Sequence, residues 1–152
     1  MIPGSYADGL RALGVLLDGE HALALSIIND EHAVLVTWHT RDGTMARRRF
    51  EDEELAELSR QAQGLRGLWA TLHASLQRLR PDAAPERLTG RGELLRTLGQ
   101  VLDQQGLHLD AVIEAPTRYR VVGTVGGAYV QAVYSSSDLQ AMSREQRSRR
   151  RG

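Results

Sequence analysis

Apolar and polar positions along the chain switch between two periods. From about Ala7 to Gly19, and again from Glu93 to Gln105, leucines recur at the three- and four-residue spacing that aligns them on one helix face, and a glycine stands close to the end. Leu23-Ala24-Leu25-Ser26-Ile27 changes to the two-residue alternation of a strand. Ala33 to Thr40 and Thr44 to Phe50 flank Asp42-Gly43, as Arg118 to Val125 and Ala128 to Tyr134 flank Gly126-Gly127, and both dipeptides favour two-residue hairpin turns. Glu51-Asp52-Glu53-Glu54 and Ser135-Ser136-Ser137-Asp138 then mark helix starts, because carboxylates and small hydroxyls accept hydrogen bonds from the free N–H groups of a first turn. The serines are read as caps and not as nucleophiles.

The same order of signals occurs twice. Leu10 to Asp18 and Leu95 to Asp103 match at six of nine positions with an offset of 85, and the correspondence continues at 84 through Leu23 and Leu25 with Leu107 and Leu109, Phe50 with Tyr134, and Leu55 with Leu139. The expected fold class is α+β: tandem duplicated α-β-β-β-α units with antiparallel three-stranded meanders, related by a pseudo-twofold, plus a long connecting helix. Residues 1–62 form the first unit, 63–90 the connecting helix and Pro/Gly linker, 91–143 the second unit, and 144–152 an arginine-rich C-terminal tail. The connecting helix rests on Leu65, Leu68, Trp69, Leu72, Leu76 and Leu79; Pro81 opens the linker, with Thr89 as the cap of the helix that follows. Units of about 60 residues bury too little surface to stand alone, so the two should dock.

Pairing across two-residue turns assigns side chains to faces. In the second unit Tyr119, Val121, Gly123, Val125, Ala128, Val130, Ala132 and Tyr134 should face the helices, leaving Arg118, Arg120, Val122, Thr124, Tyr129, Gln131 and Val133 opposite. The same pairing in the first unit places Leu35, Thr37, His39, Ala46, Arg48 and Phe50 toward the helices. Val34, Val36, Trp38, Met45, Arg47 and Arg49 then form an apolar and basic opposite face, with Trp38 across from Arg47 at cation–π distance. Those six residues are the candidate interaction face.

Composition narrows the chemistry. The 41% hydrophobic and 25% charged residues are globular proportions, and no apolar stretch nears the roughly 18 residues of a membrane helix, so no membrane partner is expected. With no cysteine and no basic, apolar secretory start, a cytoplasmic setting is expected. All 19 basic residues are arginine, so lysine and cysteine chemistry are excluded together. The histidines at 21, 32, 39, 73 and 108 show no metal-ligand spacing, and Asp30-Glu31-His32 reads as an ordinary hairpin loop. Gly123-Thr124-Val125-Gly126-Gly127 lies in a hairpin, where a phosphate loop cannot form, whereas Thr89-Gly90-Arg91-Gly92 precedes a helix and could receive an anion. No catalytic residue, metal or cofactor is assigned; an enzyme would need a shared cleft bringing His39, Asp42 and Thr89 together.

The helix-strand-strand-strand-helix order resembles that of double-stranded-RNA-binding domains, but their Gly-Pro-x-His loop and lysine-rich helix start have no counterpart here, and no family is assigned. The expected function is a non-catalytic protein-interaction module with a protein partner or a homo-oligomer. The alternative is a nucleic-acid-binding protein using Arg118 and Arg120 of the strands with Arg147, Arg149, Arg150 and Arg151 of the tail, which holds five arginines from Arg144 onward against the single acid Glu145.

Overall fold

Helices α1 (Tyr6–Gly19) and α3 (Arg91–Gln105) lie side by side because their repeated residues need each other. Leu10, Leu13 and Leu17 on α1 and Leu95, Leu98 and Leu102 on α3 are fully buried and occupy corresponding places in the two helices. The backbones approach so closely that a Cβ on Gly14 would sit 2.7 Å from the Gly92 Cα, and one on Gly99 would sit 2.5 Å from the Ala7 nitrogen. Each helix also closes the free end of the other. The Asp103 carboxylate accepts from the backbone N–H of Tyr6 at 2.9 Å and Ala7 at 3.1 Å, and the Asp18 carboxylate accepts from Gly92 N–H at 3.4 Å. A carboxylate at a helix N-terminus satisfies otherwise unpaired donors and complements the positive end of the dipole.

The computed structural model describes residues 2–20, 22–62 and 90–151. Between the two helices run β1 (Leu23–Asn29), β2 (Ala33–His39), β3 (Met45–Glu51) and α2, helical from residue 52 through 62; after α3 come β4 (His108–Ala115), β5 (Arg118–Val125), β6 (Ala128–Ser135) and α4 (Ser136–Arg151). Both halves therefore follow the order helix-strand-strand-strand-helix, as expected of an α+β chain. The leucine and tryptophan stripe at 65–79, the linker from Pro81 and the cap assigned to Thr89 lie outside the described residues; α3 begins after Gly90. Among the described residues, no helix is long and apolar enough to cross a membrane.

The two meanders join into a single six-stranded antiparallel sheet of order β3-β2-β1-β4-β5-β6. Its centre is the β1–β4 pair, with Ser26 against Ile113, Ile27 against Val112 and Ile28 against Ala111. The order reads identically outward from that pair on both sides. Leu25, Ile27, Val34, Val36, Phe50, Leu109, Val112, Tyr119 and Val121 bury one face of the sheet in a common core with α1 and α3, closed by Leu55 of α2 and Leu139 of α4.

The two outer hairpins differ by one residue, and that difference corrects the expected facing of the first half. Gly126 and Gly127 form the two-residue turn with φ of 57° and 83°, so Val125 pairs with Ala128. Asp42-Gly43 instead belongs to a three-residue loop, Arg41-Asp42-Gly43, in which Thr40 N–H donates to the Thr44 carbonyl at 2.8 Å and Gly43 takes φ 86°. The Asp42 carboxylate holds the loop by accepting from the Thr40 hydroxyl and the Thr44 N–H, and the Thr40 bond leads in drawing its pKa below the ordinary value. One extra loop residue shifts β2 by one position against β3, which turns every β2 side chain to the other face. Val34, Val36 and Trp38 accordingly lie opposite Phe50, Arg48 and Ala46 and point into the core, and Leu35, Thr37 and His39 point away from it. The expected Trp38–Arg47 contact does not form; the arginine over an aromatic ring is Arg48, 4.6 Å from the Phe50 centroid.

Residues 144–151 continue α4, so the boundary at 143/144 falls inside a helix, and Arg149, Arg150 and Arg151 stand in its last turn, where cations complement the negative end of the dipole.

Candidate interaction surface

Reading straight across the six strands shows how differently the two faces are built. One row runs Arg48, Val36, Ile27, Val112, Val121, Ala132, and its four central members are buried. The row one residue along every strand in one direction runs Arg47, Thr37, Ser26, Ile113, Arg120, Val133; the row one residue along in the other direction runs Arg49, Leu35, Ile28, Ala111, Val122, Gln131. None of the members of these two rows is buried. Among the described residues, nothing covers this second face.

Apolar and cationic side chains are interleaved across it, with Ile28 and Ile113 on the central strands, arginines on β3 and β5, and further apolar residues on the edge strands β3 and β6. Ile28, Ile113 and Val133 are exposed with Met45 and Tyr129, the last two at 65% and 68% of their full accessibility. Arg47 and Arg120 share a row four strands apart, which at the usual strand spacing is about 19 Å. Arg49 and Arg118 stand beside them on the same strands. Arg49 is paired with Glu51 at 2.9 Å, whereas Arg47, Arg118 and Arg120 make no ion pair among the described residues. A shallow depression lined by Ile28, Asp30, Leu35, Arg47 and Arg49 opens at the β1–β2–β3 end of the face.

The candidate residues therefore divide. Met45, Arg47 and Arg49 lie on the open face together with Arg118 and Arg120, which the sequence assigned to a different role. Val34, Val36 and Trp38 do not, being 0%, 0% and 7% exposed on the covered side. Of the arginines considered for nucleic acid, Arg118 and Arg120 are separated by the thickness of the sheet from Arg147, Arg149, Arg150 and Arg151, because α4 lies on the helix-covered side. There Arg147 approaches Glu93 of α3 at 3.9 Å and Arg149 is bonded to Glu145. Ile28, Ile113, Tyr129 and Val133 are the surface residues that the sequence did not single out; the alternation in β6 had placed Tyr129 and Val133 opposite the helices, and that signal was sufficient to find them.

The covered side holds the charged groups that might suggest a second site, and they are saturated by one another. Arg91 donates to both oxygens of Glu114 at 2.8 and 2.9 Å and approaches Asp18 at 3.4 Å. Burial works most strongly against its charge, but the bonds to Glu114 together with the negative charges of Glu114 and Asp18 outweigh it and raise the pKa. Beside them Tyr119 is nearly inaccessible, and burial, reinforced by the Glu114 charge, pushes its phenol well above the ordinary range. The N-terminus of α3, considered as an anion site through Gly90, Arg91 and Gly92, already receives the carboxylate of Asp18. Glu93 similarly draws Arg11 and Arg96, at 3.8 and 3.1 Å. No group of three histidine, aspartate or glutamate side chains among the described residues is placed to hold a metal. His39 ends β2 on the open face and Asp42 sits in the following loop, while Thr89 lies outside the described residues.

The chain matches no family model, no curated protein and no solved structure.

Proposed function

We propose that this chain is a non-catalytic binding module whose working surface is the open face of the sheet, and that its partner is a polypeptide offering apolar side chains flanked by acids. The observation that carries this reading is the pair of rows on that face in which Leu35, Ile28 and Ile113 of β2, β1 and β4 stand between Arg47 and Arg49 of β3 and Arg120 of β5. An antiparallel sheet can leave one face to water, but such a face is then polar, and a contiguous exposed apolar strip rimmed by cations favours a protein ligand. The arginines supply orientation and encounter rate, and the aliphatic strip supplies the desolvated centre of the contact. A cytoplasmic setting accords with the cysteine-free composition.

Nucleic acid is the second reading, favoured by three arginines on one face that make no ion pair among the described residues. Against it stands the chemistry between them: among the described residues, β2, β1 and β4 place aliphatic and small polar side chains there, and the exposed ring of Tyr129 stands apart on the edge strand β6.

Selection of displayed random peptides against the full chain tests the proposal. Binders are expected to be enriched in Leu, Ile, Val or Phe together with Asp and Glu, and Ile113→Asp combined with Arg120→Glu is expected to weaken them by roughly a hundredfold, the loss of a central apolar anchor and one charge pair. Failure to enrich any such peptide, or binders indifferent to both substitutions, contradicts it. A gel shift on a mixed-sequence duplex that fades steeply between low and moderate salt, with no peptide selected, supports the second reading instead.

A further inference from the structure

The two edges of this otherwise symmetric sheet are built in opposite ways. Edge strand β3 reads Met-Ala-Arg-Arg-Arg-Phe-Glu, with four charges in seven residues. Charge along an edge is a common means of preventing another strand from adding to it. Edge strand β6 reads Ala-Tyr-Val-Gln-Ala-Val-Tyr-Ser: eight residues without a charge, a proline or a glycine. Its ladder to β5 runs through eight successive pairs with no bulge. Tyr129 and Val133, 68% and 54% exposed, lie along it. Among the described residues, no strand pairs with its outer side.

The direction of its free backbone groups follows from the turn. A two-residue hairpin makes Val125 and Ala128 a hydrogen-bonded pair, and bonded pairs then recur at every second position, so Val130, Ala132 and Tyr134 spend their N–H and C=O groups on β5. Those of Tyr129, Gln131 and Val133 point out from the edge. We infer that β6 is a self-association edge at which a second copy of this chain pairs antiparallel, with Gln131 opposite Gln131 of the second copy. In this register Tyr129 meets Val133 on the same face, an aromatic with a β-branched residue, and the exchange is repeated by the twofold. The three outward residues of each copy are then satisfied completely.

A second copy fits this edge better than the alternatives within the molecule. Pairing of β3 with itself would set arginines near arginines, and stacking of the open faces would oppose Arg47, Arg49, Arg118 and Arg120 of one copy to those of the other. Pairing through β6 brings no like charges together. Because the twofold stands perpendicular to the sheet, the product is a twelve-stranded sheet whose two open faces lie on the same side and form one surface. This association does not depend on what the open face binds.

Sedimentation of the full chain from about 1 to about 300 μM, the range that covers micromolar dissociation constants, tests the proposal. The wild type is expected to shift from monomer to dimer. Gln131→Lys and Gln131→Glu, each at an exposed position and each setting like charges on the twofold axis, are expected to weaken association at least about tenfold, and an equimolar mixture of the two should restore it. Circular dichroism of each variant establishes that the fold is retained. A wild type that remains monomeric throughout, a dimer unaffected by either substitution, or a mixture no more associated than its components overturns the proposal. Each of these outcomes is independent of peptide binding at the open face.

Discussion

Trp38→Ala is expected to lower folding stability by about 3 kcal/mol, and Met45→Ala by less than about 0.5 kcal/mol. The two residues stand at the same end of one hairpin, and the three-residue loop between them determines their fates. Trp38 is directed into the core opposite Ala46, and its removal leaves a large cavity in that core. Among the described residues the buried indole N–H has no hydrogen-bond partner, so its deletion returns part of the cost and sets the expectation at the lower end of the range for buried aromatics. Met45 is turned outward and loses little. Urea midpoints followed by circular dichroism distinguish the two. A larger loss for Met45→Ala than for Trp38→Ala would mean that the register of the hairpin is reversed.

Gly99→Val is expected to cost about 3 kcal/mol, which for a chain of this size lowers the melting temperature by roughly 6–12 °C. A Cβ at this position would lie 2.5 Å from Ala7 N and from the carbonyl carbon and oxygen of Tyr6, all backbone atoms that cannot swing aside. The helices would have to separate, and the Asp103 carboxylate would lose its hold on the N–H groups of Tyr6 and Ala7 as they did. Gly19→Ala is the control, since nothing lies within 4 Å of its added Cβ. Calorimetry of the two variants is the measurement; equal melting temperatures would show that α1 and α3 are not in close contact.

The helices and strands were legible because their determinants are local. Leucine spacing located α1 and α3 to within two residues at either end, and the Gly-Gly turn placed β5 and β6 and both their faces correctly. The repeated Leu-Arg-x-Leu-Gly pattern is explained residue by residue: the leucines fill the core, the glycines permit close approach, Arg11 and Arg96 converge on Glu93, and the aspartates cap the opposite helix. The facing of β2 was misread because Asp-Gly serves equally in a two-residue turn and in a three-residue loop, and only the pairing of Thr40 with Thr44 distinguishes them. That one residue exchanged Val34, Val36 and Trp38 for Leu35, Thr37 and His39 at the surface. The joining of the two meanders through β1 and β4 had no local signal, because it is a contact between segments some 85 residues apart.

A row of cysteines measures the open face directly, because the chain has none of its own. Thr37→Cys, Arg47→Cys, Ile113→Cys and Arg120→Cys lie in one row across the sheet, and Val36→Cys and Val121→Cys lie in the row beneath. Under native conditions the first four thiols are expected to react with a small alkylating reagent at near the rate of the unfolded chain, and the last two only as fast as the protein unfolds. Protection of Ile113→Cys and Arg120→Cys to the level of Val36→Cys would show that this face is covered, and would remove the surface on which the proposed function rests.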